Sequence, residues 1–170
     1  TMNGKLTLTM SATMEIRDYT DEDEAHLVRL IRQLQSYETA YYDRMIPAEE
    51  IAGWYIDDIK KDCREYAGRI RIGWMEANPV GYCVTFTKVP NEEADELAFD
   101  YAYVSEIAVA KAVRGQGLGM ALLRDAEALA RAAQANWLRI NVLAKNTVAR
   151  EVYGRYGFEE HLINMEMPLK

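Results

Sequence analysis

Apolar residues along this chain recur with two different periods, and the switches between them mark out its elements. "MEIRDY" at 14–19 alternates with the period of two that turns one face of a strand inward. From Thr20 the period becomes helical. Leu27, Leu30, Ile31 and Leu34 share one stripe to about Glu38, and Thr20 with Asp23 forms a capping-box start with Asp in place of the usual Glu. "SYETAYYDRM" at 36–45 predicts a polar, aromatic bend. Pro47 suits the first position of a second helix, whose stripe of Ile51, Tyr55 and Ile59 runs to about Tyr66.

The period then returns to two. "RIRIGWMEA" at 69–77 and "VGYCVTFTKV" at 80–89 predict an antiparallel hairpin turned at Asn78-Pro79. The acidic stretch at 91–100 predicts a solvated loop. "YAYVSEIAVA" at 101–110 is a nearly unbroken run of β-formers, the pattern of a strand buried on both faces. A helix over 117–134 follows, with Leu118, Leu122, Ala126, Leu129 and Ala133 inward and a Glu127–Arg131 pair on its outer face. A strand at 137–143, a short helix in "NTVAREVYGRYGF" ended by Gly157, and a final strand in "FEEHLINMEMPLK" complete the chain. This order predicts one mixed α/β domain over 14–170. Residues 1–13, which open on Thr, read as a weakly ordered lead and in part an added sequence.

Composition narrows the function classes. The chain has 170 residues, 49% hydrophobic and 28% charged, as a globular domain with a real core requires. A net charge of −7 argues against nucleic acid or an anionic membrane as partner. No apolar run reaches the ~20 residues of a membrane helix, and the N-terminal stretch lacks the apolar core of a signal peptide, so a cytoplasmic protein is expected. Cys63 and Cys83 have no metal-ligand or redox spacing. Cys83, inside an apolar strand, reads as a buried thiol, and no metal site is expected. His26 and His161 lie outside any motif and read as surface residues.

The candidate chemistry begins at "RGQGLG", 114–119, where alternate glycines lead straight into a helix. Such a turn converges backbone N–H groups on an anion. It is not a nucleotide-triphosphatase loop, because Met-Ala-Leu-Leu follows Gly119 where Lys-Ser/Thr is needed. It is not a dinucleotide fingerprint either. Counting from Gly115 or Gly117 puts Met120 or Leu122 at the last glycine's place, and the loop lies far from the first strand.

Arg114, Gly117 and Gly119 after "EIAV" instead resemble the Arg/Gln-x-x-Gly-x-Gly/Ala motif of the GNAT family, the acetyl-CoA-dependent N-acetyltransferases. One strand later, Asn146, Ala149, Tyr153, Gly157 and Phe158 resemble that family's second motif, and the two together span 101–158. The resemblance implies a mixed, mostly antiparallel sheet of six to seven strands flanked by about four helices. It implies that the amides of Gly115, Gln116, Gly117, Leu118 and Gly119 surround the pyrophosphate of coenzyme A, with Arg114 assisting. Ile107, Val109 and Ala110 would line the pantetheine arm through their main chain, and Asn146 belongs to the same coenzyme site.

The same resemblance implies direct attack of an amine on the thioester within a ternary complex. Tyr153 would protonate the departing thiolate. Glu106, inside a buried strand, is either the base or a structural carboxylate, and the residues alone leave both open. Alternation would put Ser105 on the face opposite Glu106. The expected acceptor is a small amine or the amino group of a peptide or protein. Tyr37, Tyr41, Tyr42 and the acidic segment before the strand favour a cationic acceptor with an apolar part. The alternative is a non-catalytic acyl-CoA-binding module of the same fold. A homodimer is expected to pair through the C-terminal strand.

Overall fold

Residues 14–169 are described by a computed structural model, in which five strands form one sheet flanked by helices on both faces. The elements run β1 (Glu15–Asp18), α1 (Glu24–Glu38), α2 (Gly53–Glu65), β2 (Arg69–Met75), β3 (Asn78–Pro90), β4 (Asp100–Val109), α3 (Leu118–Ala132), β5 (Leu138–Ile140) and α4 (Thr147–Tyr156). Strand order follows chain order. β1 to β4 pair antiparallel, and α3 carries the chain across to β5, which lies parallel to β4. Among the described residues no helix is long and apolar enough to cross a membrane.

The two faces of β3 show how the layers form. Tyr82, Val84 and Phe86 point to one side, where they join Leu27, Leu30 and Ile31 of α1 and Ile56 and Ile59 of α2. Cys83 points to the other, with Val104, Leu122 and Ala126 of β4 and α3. A strand covered on both faces can be apolar throughout, which is why "VGYCVTF" shows no polar alternation. Cys83 is fully buried as expected, and both cysteines are free thiols. His26 and His161 are exposed as expected.

Several boundaries differ from the sequence reading. The second helix starts at Gly53, because Pro47 leads instead into a 3-10 turn over Ala48–Glu50, and Ile51 is buried ahead of the helix. The hairpin turns at Glu76-Ala77, with Glu76 at φ 55°, so Asn78 and Pro79 already belong to β3. On α3 the fully buried stripe is Leu118, Leu122, Leu123, Ala126 and Ala130, while Leu129 and Ala133 are only half-buried. The capping box holds: the Asp23 carboxylate accepts from both the backbone N–H and the hydroxyl of Thr20 at 3.0 Å.

Two corrections bear on the site. β4 is not buried on both faces, since every residue from Ser105 to Val109 is half-buried. The expected final strand does not form either, leaving five strands among the described residues where six to seven were expected. β5 is only three residues long and offers little edge to pair with. The tail is instead held by ion pairs, Arg150 to Glu160 and Arg44 to Glu166, and Leu162, Ile163, Met165 and Met167 stay exposed. The expected dimer through a C-terminal strand therefore has no strand to pair with. The lead, residues 1–13, lies outside the described residues.

Gly81 couples β3 to the elements that build the site. A methyl added there would sit 2.8 Å from the Ala108 carbonyl oxygen and 3.2 Å from a Leu122 methyl. Backbone on one side and a buried helix on the other leave it no room. Gly81→Ala is expected to lose about 1–3 kcal/mol of stability as an overpacked core does, read from urea unfolding midpoints at unchanged m-value.

Candidate active site

β4 separates from its neighbour at a defined point. Ala102, Tyr103 and Val104 pair with Leu138, Arg139 and Ile140, and beyond Val104 the β5 side of the strand is open. On the other side the β3 register slips: Val84 faces Glu106 while Thr85 faces Val104, so Ser105 is an extra residue, a β-bulge. Past the bulge, Ala110 N–H donates to Val80 O at 2.7 Å. Antiparallel alternation then turns the main-chain groups of Ile107 and Val109 away from β3, toward the open edge.

A cavity of about 260 Å³ fills the gap where the strands part. Glu106, Tyr55 and Tyr153 line it, with Glu38 from the last turn of α1 and Asn141 just past β5. Ser105 borders it as well. The bulge breaks the alternation that would have sent its side chain to the opposite face, and the cavity opens at the strand's edge rather than on one face.

The Glu106 carboxylate is clamped. Tyr55 Oη donates to Oε1 at 2.6 Å and Tyr82 Oη donates to Oε2 at 2.7 Å. Some of the residue's surface faces the cavity, yet protein atoms crowd the carboxyl closely enough that desolvation dominates. Its pKa is raised above the ordinary glutamate value by burial, and the two tyrosine hydrogen bonds pull it partly back. The same contact pushes the Tyr55 phenol up, through burial first and then the Glu106 charge and hydrogen bond. Tyr153 is half-buried on α4, its phenol also raised by burial, with smaller contributions from Cys83 and Glu38. Both phenols therefore keep their protons at neutral pH.

The glycine turn lies beyond the end of β4. Gly115 and Gly117 both have φ of 79°, a backbone only glycine adopts without strain, and a Cβ at either would meet nothing within 4 Å. Gly117 is the residue before α3, and Ala121 is the first helical amide to reach its carbonyl, at 3.2 Å. The N–H groups of Leu118, Gly119 and Met120 therefore have no acceptor inside the helix. Amides without a helical acceptor beside two glycines with open space around them fit a bound anion.

The remaining expected residues divide. Ala110 has no free main-chain group, since its N–H goes to Val80 and its carbonyl accepts from Val113 N–H at 3.0 Å. Of the two, only Val109 keeps a free amide, because Arg114 Nε donates to its carbonyl at 3.0 Å. The Arg114 guanidinium meanwhile lies 4.6 Å from the centre of the Tyr37 ring. Asn146 is buried and caps α4, its Oδ1 accepting from Ala149 N–H at 3.2 Å. The sequence reading did not single out Tyr82 or Glu38 as site residues and took Tyr55 for core. A polar end on an apolar helical stripe was the available signal for two of them: Leu27, Ile31, Leu34, Glu38 on α1, and Ile51, Tyr55, Ile59 around α2.

Comparison with known proteins decides the family. The model of the acetyltransferase (GNAT) family matches residues 19–158, which is most of the chain. The chain belongs to the GNAT acetyltransferase family. Its fold is the GNAT fold. A mutant of the BH1408 protein from Bacillus halodurans superposes with a TM-score of 0.82 at 19% identity, covering 92% of this chain and 99% of that one. A Trypanosoma brucei acetyltransferase gives 0.66 at 19% identity, covering 92% and 100%. AAC(6')-Iy, solved with the bisubstrate analog CoA-S-monomethyl-acetylneamine, gives 0.63 at 14% identity over 92% and 99%. Among curated proteins none matches the sequence significantly. This GNAT protein thus shares its architecture with those structures at identities that speak to fold alone.

The clamp on Glu106 gives a direct test of its electrostatics. With glutamate carboxyls labelled by carbon-13, Glu106 should titrate above the ordinary range. Tyr55→Phe removes one hydrogen bond to the ionised form and should move it higher still. An ordinary glutamate titration, or a downward move in the variant, contradicts the arrangement.

Proposed function

We propose that this protein transfers the acetyl group of acetyl-CoA to a primary amine, a small amine or the amino group of a peptide, by direct attack in a ternary complex. One observation carries the reading: a clamped, desolvated carboxylate and a protonated phenol share one cavity at the open edge of β4.

The glycine turn would receive the pyrophosphate of the donor. Gln116 to Gly119 offer amides there, the dipole of α3 adds attraction, and Arg114 stands beside it. The pantetheine arm would lie along β4, where the Ile107 and Val109 main chains face the gap as an unpaired strand edge does. The donor supplies an activated acyl group; the chain's own residues supply orientation and proton movement. The Val109 N–H is the amide available to stabilise a developing oxyanion.

Glu106 takes a proton from the acceptor ammonium, freeing its lone pair to form the carbon–nitrogen bond as the carbon–sulfur bond breaks. A carboxylate raised by desolvation is a stronger base than a solvated one. Tyr153 gives a proton to the departing sulfur. Burial makes it a weaker acid than a free phenol, so the useful donation is concerted with bond cleavage. Two protons leave the nitrogen, one returns to sulfur, and one goes to solvent. A binding module without catalysis would have no use for the second half of this arrangement.

Gly117→Val places a branched side chain in front of the amides and strains a left-handed backbone. Coenzyme A affinity measured by calorimetry should fall at least about tenfold, or about 1.4 kcal/mol. Wild-type affinity in a folded variant would remove the turn from the donor site. Tyr153→Phe keeps ring and packing but loses the proton. Its kcat should fall by roughly 10²–10⁴ with coenzyme affinity retained. A kcat within about twofold of wild type would assign the proton to water or substrate instead.

A further inference from the structure

The two carboxylates of the cavity are treated differently by the protein around them. Each oxygen of Glu106 is met by a tyrosine hydroxyl. Glu38 is half-buried in the same cavity, where the like charge of Glu106 repels it. Glu38 also ends α1, where the negative pole of the helix dipole disfavours an anion, and no basic residue stands in that last turn. The residues lining the cavity include both glutamates and no Lys, Arg or His. Burial, a like charge and a helix C-terminus all act against the Glu38 carboxylate, and one cation paired with it offsets all three.

The attacked nitrogen cannot be that cation, because it must be neutral when its lone pair forms the bond. A second nitrogen on the same acceptor, protonated at neutral pH as a lysine amine is, meets the requirement. Ile31, Leu34 and Met45 in the same wall offer apolar surface for a methylene spacer. Resting on the acetyl-transfer reading above, we propose that Glu38 is the specificity-determining residue of the acceptor pocket and selects small aliphatic diamines, holding one ammonium while the other nitrogen is acetylated.

The test compares putrescine with n-pentylamine, which has the same chain length and lacks the second charge. Wild-type kcat/KM should favour putrescine at least about tenfold, a difference of about 1.4 kcal/mol. Glu38→Gln should bring the ratio down toward one through KM, and Glu38→Asp should restore part of it. Calorimetry of each amine with the protein saturated in coenzyme A gives the same comparison without turnover. Equal rates and affinities for the two amines in the wild type, or a preference surviving in Glu38→Gln, would overturn the assignment. Putrescine binding that depends on Glu38 without any turnover would instead count against acetyl transfer and leave the Glu38 assignment standing. Turnover without diamine preference would do the reverse.

Discussion

Everything at the site depends on β4 having a partner on only one edge after Val104. β5 pairs with the strand only from Ala102 to Val104, and beyond Val104 β3 alone holds the strand in place. An unpaired backbone edge inside a domain must be satisfied by something other than sheet. Here the main-chain groups of Ile107 and Val109 face a gap whose opposite wall is helix α4 and the chain leaving β5. The same divergence creates the cavity that receives Glu106 and Tyr153 from different elements. A longer β5 paired along the whole of β4 would close it.

Placing a carboxylate at such a point costs free energy, and the surrounding side chains offset part of it. Effective penalties for removing an ion from water are several kcal/mol, while each hydrogen bond to a charged group returns about 1.5–3 kcal/mol. The two tyrosine hydroxyls on Glu106 thus cover much of the penalty, and the remainder leaves its pKa raised. Tyr82 can serve this way because it is wholly buried on β3, its position fixed by the core beneath. Tyr55 reaches from α2 on the same face. One helix and one strand of the first half of the chain therefore hold a carboxylate of the second half.

How much of this was legible in the sequence depended on whether a residue's role is local. The glycine turn was, because φ of 79° at Gly115 and Gly117 is a backbone demand that only one residue type meets without strain. The α1 stripe and the burial of Cys83 were, because periodicity reports which face is covered. The bulge at Ser105 was not, since no Gly or Pro marks it and it arises from pairing with β3. That single irregularity defeated the alternation argument for Ser105 and Glu106. The final strand failed for a related reason: its own pattern alternates, but a strand exists only where an edge is available, and β5 supplies three residues. Tyr55 sat within a stripe read as core and Glu38 was read only as the end of α1, so neither position drew notice as polar.

The carboxylates of this chain fall into two groups whose effects on stability have opposite signs. Glu127 and Glu166 lie at the surface, and hydrogen bonds from Tyr156 and from Arg44 respectively are the first cause of their lowered pKa. Groups of that kind favour the fold above their unfolded pKa and lose the contribution as pH falls through the folded one. Glu38 and Glu106 are raised, burial being the first cause for both. They favour the fold while protonated, and that contribution disappears as pH rises through their raised values. The surface carboxylates and the cavity carboxylates thus answer rising pH with opposite signs, the first adding to stability and the second taking it away.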